Sequence, residues 1–231
     1  MQWIKNYQLF LFDFDGLLVN TEELHFQAYI RMCAKRGYAL PWDFQTFSAA
    51  AHHTSTGLRD KVYADLPELQ IKEPLWSVLY AEKKQAFFEI VQEGYTTLME
   101  GVAELLTALD QAKINSCVVT NSPSAVIQLI RQQIPLLDLI PNWITREHYS
   151  QPKPHPECYQ CAIQNLAKHT DRIIGFEDSP KGYEALSHTS AVPVLVCPQN
   201  SAYLQKMTNS SLKYYPSLAK ITDTNYPSPD I

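Results

Sequence analysis

Two hydrophobic patterns divide the chain. The first is the short apolar run. Residues 9–12, LFLF, are too few for a helix and lead directly into turn chemistry, which predicts a strand buried on both faces of a parallel sheet. Further runs at residues 116–119, 143–145, 172–176 and 192–196 are read the same way. The second pattern has helical spacing. A helix is predicted from Asn20 or Thr21, with Glu22 and Glu23 in its first turn, where the helix dipole favours acids, and with Gly37 at its end. Residues 41–47, residues 56–66 and a longer segment from Pro74 to Val91 follow, with no strand-like alternation between them. Val102, Leu105, Leu106 and Leu109 share one face of another helix. Residues 123–133, with Pro123 in the first turn, and residues 156–168 complete the set. Pro152 and Pro154 flank Lys153 in a loop expected to be extended, and residues 223–231 bury so little that they are expected to fray.

Strands alternating with helices predict an α/β fold, a Rossmann-like doubly wound parallel sheet with helices on both faces. The uninterrupted helical stretch after the first strand predicts an inserted small α-helical cap. The expected division is residues 1–19 with 95–231 as the α/β core and residues 20–94 as the cap. At 231 residues the chain can bury such a core unaided.

Charge and cysteine content narrow the partners. A formal net charge of −5 supplies no basic field for nucleic acid or an anionic membrane, and the aromatic residues are not interleaved with Lys or Arg. No stretch approaches the roughly 20 apolar residues of a membrane span, and the N-terminal run is broken by acids rather than built as a signal core. A cytoplasmic location is expected. Five cysteines, an odd number, fit free thiols in a reducing compartment. Cys158 and Cys161 form a C-x-x-C inside a predicted helix with no second pair to complete a zinc site, so a metal or redox role is set aside. Without heptads or repeats, a monomer is expected.

The polar residues at the strand ends carry the candidate chemistry. Asp13 and Asp15 follow the first strand, and alternation lets both leave one side of the backbone while Gly16 permits a sharp turn. Crowded carboxylates raise one another's pKa unless a proton or a cation neutralises them. Thr120, Asn121 and Ser122 end the strand at 116–119, and Glu177 and Asp178 end the one at 172–176. In a parallel sheet these ends share one edge, where ligands bind at the switch point of the strand order. Acidic oxygens suit Mg²⁺, Lys153 is a point charge for a phosphate, Thr120 can donate a hydroxyl hydrogen bond, and a carboxylate beside a metal and a phosphoryl group can form an aspartyl-phosphate. His52 and His53, in the expected cap, are candidates for binding a sugar hydroxyl or phosphate as neutral imidazoles, and His25, one turn into the first helix, and Asn121 are further substrate-binding candidates, with surface placement as the plain alternative for the histidines. Ser122 and Ser179 are read as helix caps in preference to site supports.

The segments DFDGLLVNTEELH, VVTNS, KPHPECY and GFEDSPKG resemble, in order, the four motifs of the haloacid dehalogenase superfamily, in the branch of β-phosphoglucomutase and related sugar-phosphate phosphatases. The resemblance implies Asp13 as nucleophile and Asp15 as general acid and base. It implies Thr120 and Lys153 as holders of the phosphoryl group, and a Mg²⁺ site from Asp13, Asp178 and the Asp15 carbonyl with Glu177 as direct or water-linked helper. It also implies a cap that selects a small phosphorylated metabolite. Asp15 argues against dehalogenation, since halide-removing members lack that carboxylate. Phosphonoacetaldehyde hydrolases need a cap lysine, and SAAAHHTSTGLRD has none before Arg59. The phosphate-gripping arginine of the mutases falls at Thr54, with Arg59 or Lys61 as substitutes under another register. The expected activity is therefore a phosphatase, with a phosphosugar mutase as the alternative and a non-catalytic sugar-phosphate sensor as a further one that the intact Asp13 and Asp15 argue against.

Overall fold

In the computed structural model, residues 1–53, 56–201, 204, 207 and 212–228 are described, apart from the side chains of His52 and His53. Six parallel strands form one sheet: β1 (Leu9–Phe12), β2 (Asn115–Val119), β3 (Asn142–Ile144), β4 (Ile173–Glu177), β5 (Val192–Val196) and β6 (Tyr214–Tyr215). Their order is β3-β2-β1-β4-β5-β6. The chain builds outward from β1 in one direction and then resumes on its other side, so the switch point lies between β1 and β4. Phe12 pairs with both Val118 and Phe176, which brings Asp13 level with the ends of the two flanking strands. β1 is buried throughout, as its unbroken apolar run predicts. β6, only two residues long, carries too little pattern to be predicted.

The chain divides into two compact units, residues 21–96 and the remainder, residues 1–20 with 97–231. Among the described residues the first of these is built of helices: α1 (Thr21–Lys35), α2 (Phe44–His53), α3 (Gly57–Asp65), α4 (Pro67–Lys72) and α5 (Trp76–Gln92). Its core gathers Phe26, Tyr29, Met32, Phe47, Val62 and Leu79. The helix expected at residues 41–47 begins later and runs to His53, and α4, unpredicted, starts with Pro67 in its first turn.

The sheet-bearing unit adds α6 (Val102–Ala112), α7 (Ser124–Gln133), α8 (Glu157–Leu166) and α9 (Pro180–Ser187). Leu9 and Leu11 face a core shared with Cys117, Tyr159, Ala162 and Leu186, so α8 and α9 cover that side of the sheet. The alternate residues Phe10 and Phe12 point the other way and pack their rings with Phe176, with Trp3 against Phe10. Three sequence expectations are corrected. Pro123 is the N-cap of α7, in extended backbone, rather than a first-turn residue. Lys153 and Pro154 form a turn with a cis peptide bond between them, not an extended loop. The tail does not fray over residues 223–228: Asp223 Oδ1 accepts from the amides of Gln2 and Trp3, Tyr226 stacks on Trp3 at 6.2 Å, and the Tyr7 hydroxyl donates to the Pro227 carbonyl. These partners lie more than 200 positions away in the sequence, beyond the reach of local pattern, and nearer ones add to them: the Tyr215 hydroxyl donates to the Asn225 carbonyl and Lys213 Nζ to the Ser228 carbonyl.

Candidate active site

The ends of β1, β2 and β4 put their polar residues side by side. Asp13 leaves β1 with its amide bonded to the Phe176 carbonyl at 3.0 Å, and only 7% of the residue is exposed. Gly16, at φ +81°, turns the chain back, and its amide donates to the Val19 carbonyl at 2.9 Å. A residue with a Cβ would be strained there. Asp15 is held by β2's end: its Oδ2 accepts from the Thr120 hydroxyl at 3.1 Å and from the Ser122 hydroxyl at 2.6 Å.

Lys153 enters from the turn before α8. Its Nζ donates to Asp13 Oδ1 at 2.5 Å, Glu177 Oε1 at 2.6 Å, the Val119 carbonyl at 2.8 Å and the Tyr159 hydroxyl at 3.1 Å. Burial alone would lower the ammonium's pKa, but Asp13 and Glu177 outweigh it and hold the group well above the ordinary lysine value. Burial pushes the Asp13 carboxyl up to about 8 against the opposing pull of Lys153, with Glu177 and Asp15 adding to the rise.

Among the described residues, Asp13, Glu177 and Asp178 are all buried and offer ligand oxygens within 4.8 Å of one another. Glu177 is fully buried, and its Oε2 has no hydrogen-bond partner among the described residues. An orphaned carboxylate oxygen costs free energy where it lies unless something positive meets it. The donor set is therefore one that fits a hard divalent cation such as Mg²⁺, which prefers carboxylate oxygen and tolerates few protein ligands. Gly182 makes room for this carboxylate: a Cβ there would lie 1.9 Å from Glu177 Oε2.

Residues 10–196 match the family model described as haloacid dehalogenase-like hydrolase. The chain belongs to that family. A phosphorylated carbohydrates phosphatase of Thermotoga maritima is 26% identical over 180 residues, covering 76% of this chain and 78% of that protein. A validoxylamine A 7'-phosphate phosphatase of Streptomyces hygroscopicus subsp. limoneus is 29% identical over 177 residues, covering 76% and 79%. In fold, the chain is similar to a crystal structure of CbbY from Rhodobacter sphaeroides in complex with phosphate, with TM-score 0.71, 20% identity and coverage of 93% and 96%. Both of these curated relatives are named phosphatases, and the family is the one the motifs resemble.

Of the residues singled out in the sequence of this hydrolase, Asp13, Asp15, Thr120, Lys153, Glu177 and Asp178 share one site. Asn121 adjoins it, its side-chain oxygen accepting from the Tyr149 hydroxyl at 2.6 Å and the Lys153 amide at 3.3 Å. His25 lies in the helical unit, where its ring stacks on Phe87 and its Nδ1 meets Lys83 Nζ at 2.8 Å. Thr54 and the side chains of His52 and His53 lie outside the described residues. Ser179 caps α9, accepting from the Gly182 amide at 3.2 Å, as read from the sequence. Ser122, read as a cap, instead bonds Asp15. Cys158 and Cys161 are free thiols on α8. Sequence reasoning gave no role to Tyr149 and Tyr159. Tyr159 carried one signal, since a tyrosine buried on a helix must find a partner for its hydroxyl.

Proposed function

We propose that this hydrolase is a Mg²⁺-dependent phosphatase of a small phosphorylated carbohydrate, acting through an aspartyl-phosphate on Asp13. The observation that carries the reading is the pairing of Asp13 with two different surroundings. On one side stand Lys153 and the acidic cluster; nearby is a second carboxylate, Asp15, oriented by two hydroxyls. The names of the relatives support phosphorylated carbohydrates as the substrate class.

Asp13 attacks phosphorus with a carboxylate oxygen. The bond from phosphorus to the sugar oxygen breaks, and Asp15, protonated, gives that oxygen its proton. Water then attacks the phosphorus of the aspartyl-phosphate and yields a proton to Asp15. The bond to Asp13 breaks, inorganic phosphate departs and both carboxylates are restored. Lys153 supplies positive charge to the transferring group and Thr120 a hydroxyl donor. Asp13, Asp178, Glu177 and the Asp15 carbonyl would hold Mg²⁺, which would supply positive charge against the crowded carboxylates and the phosphoryl oxygens.

The test is phosphate release from a panel of sugar phosphates and from p-nitrophenyl phosphate, with Mg²⁺ and with EDTA. Turnover is expected with Mg²⁺ alone, and Asp13→Asn is expected to abolish it and to trap no phosphate on the protein. Equal rates in EDTA, or a phospho-adduct on Asp13→Asn, overturns the reading.

A further inference from the structure

Tyr159 touches both the ammonium and the buried carboxylate of the site. It is fully buried on α8, its hydroxyl donates to Glu177 Oε1 in a short hydrogen bond, and it accepts from Lys153 Nζ at 3.1 Å. The direction of these bonds follows from the ammonium, which only donates: the phenol oxygen accepts from Lys153, and its single proton goes to Glu177.

Among the described residues, Oε1 of Glu177 thus receives two donors, Tyr159 and Lys153, while Oε2 receives none. Gly182 closes against the carboxylate, a Cβ there meeting Oε2 at 1.9 Å and Oε1 at 2.2 Å. Lys153 alone is an unreliable anchor for Glu177. Its three N–H groups already serve four acceptors, and a phosphoryl group at Asp13 would draw it further. Tyr159 has no such competing demand.

We propose that Tyr159 is a positioning residue of the cation site, holding Glu177 by Oε1 so that Oε2 stays available to a divalent ion shared with Asp13 and Asp178. This rests on reading the acidic cluster as a metal site. Groups that orient ligands from behind typically change metal affinity by about 10- to 100-fold when lost.

The experiment is a titration of the full chain, without substrate, with Mn²⁺ followed by electron paramagnetic resonance. Tyr159→Phe, which removes only the hydroxyl, is expected to weaken Mn²⁺ binding by about 10- to 100-fold with the fold intact by circular dichroism. In a Glu177→Ala background the same change is expected to cost nothing further, because the phenol acts through that carboxylate. Glu177→Gln serves if Tyr159→Phe does not fold: its amide oxygen can take the place of Oε1, leaving the NH₂ group where Oε2 was, and affinity is expected to fall. Wild-type affinity in Tyr159→Phe or in Glu177→Gln, or an undiminished Tyr159→Phe effect without Glu177, overturns the proposal. A wild-type protein with no saturable Mn²⁺ site overturns the metal reading beneath it, a result distinct from either.

Discussion

Two hydroxyls converge on one oxygen of Asp15, from Thr120 at 3.1 Å and Ser122 at 2.6 Å, and the Ser122 amide in turn donates to Thr120 Oγ1 at 2.9 Å. Such a closed set fixes where the Asp15 carboxyl points, which matters under the proposed acid/base role because small misplacements of catalytic groups are costly. Asp15→Asn is expected to lose roughly 10²- to 10⁴-fold in kcat on a sugar phosphate, the usual contribution of a general acid/base. Ser122→Ala is expected to lose less than that range and to spare p-nitrophenyl phosphate, whose leaving group needs little help from a proton. The check is the ratio of kcat on the two substrates; a Ser122→Ala loss equal on both would remove Asp15 orientation as its cause. At this scale the sequence reveals residues whose chemistry is unusual for their place, such as acids directly after a buried strand or a lysine between prolines. It hides residues such as Ser122 and Tyr159, whose types are ordinary for a loop and a buried helix face. Their importance lies in the partner each meets, 107 positions away for Ser122 and 18 for Tyr159.

Helices α1 and α5 pack together through His25, whose ring lies 3.9 Å, centroid to centroid, from that of Phe87. Lys83, 5% exposed, places its ammonium 2.8 Å from His25 Nδ1 and over the rings of Tyr29 and Phe87. Because an ammonium only donates, Nδ1 is the acceptor and the ring is neutral. Burial, then Lys83, pushes the His25 pKa well below its ordinary value. In the unfolded chain the imidazole titrates near 6.5, so on acidification the unfolded state binds the proton first. The stability contribution is complete above about pH 6.5 and is lost as pH falls from there towards the folded-state value. Hydrogen exchange of α1 and α5, corrected for intrinsic rates, is expected to show protection declining from pH 7.5 to pH 5.5. His25→Gln is expected to flatten that decline, and an unchanged slope would assign it elsewhere. These helices were legible because apolar residues recur at helical spacing over long stretches. The short α4 was not, having only Leu69 fully buried to mark its inner face, and the docked tail was read as frayed because the contacts that tie it to Gln2, Trp3 and Tyr7 lie at the far end of the chain.

The order β3-β2-β1-β4-β5-β6 explains why residues scattered from Asp13 to Asp178 form one site. With β1 central and β2 and β4 beside it, the loops after three separate strands meet at the switch point, and parallel pairing aligns their carboxyl ends. That inference was available from alternating strands and helices, because parallel connections leave few topologies to choose from. The cost of the arrangement is electrostatic. Three carboxylates lie within 4.8 Å of one another, two of them, Asp13 and Glu177, paired with the Lys153 ammonium, and burial already pushes Asp13 up to about 8. A ligand that meets this cluster only in the folded chain must therefore stabilise the fold, by about 2.7 kcal/mol when its concentration is a hundredfold above its Kd. With Mg²⁺ added and ionic strength matched by NaCl, hydrogen exchange is expected to slow around β1 and β4, with no change in α2 to α4. Asp178→Ala removes one of the three carboxylates and is expected to abolish the response. Equal protection by NaCl alone would make it ordinary screening, which acts on exposed charges far more than on buried ones. An undiminished response in Asp178→Ala would locate the ion away from the acidic cluster.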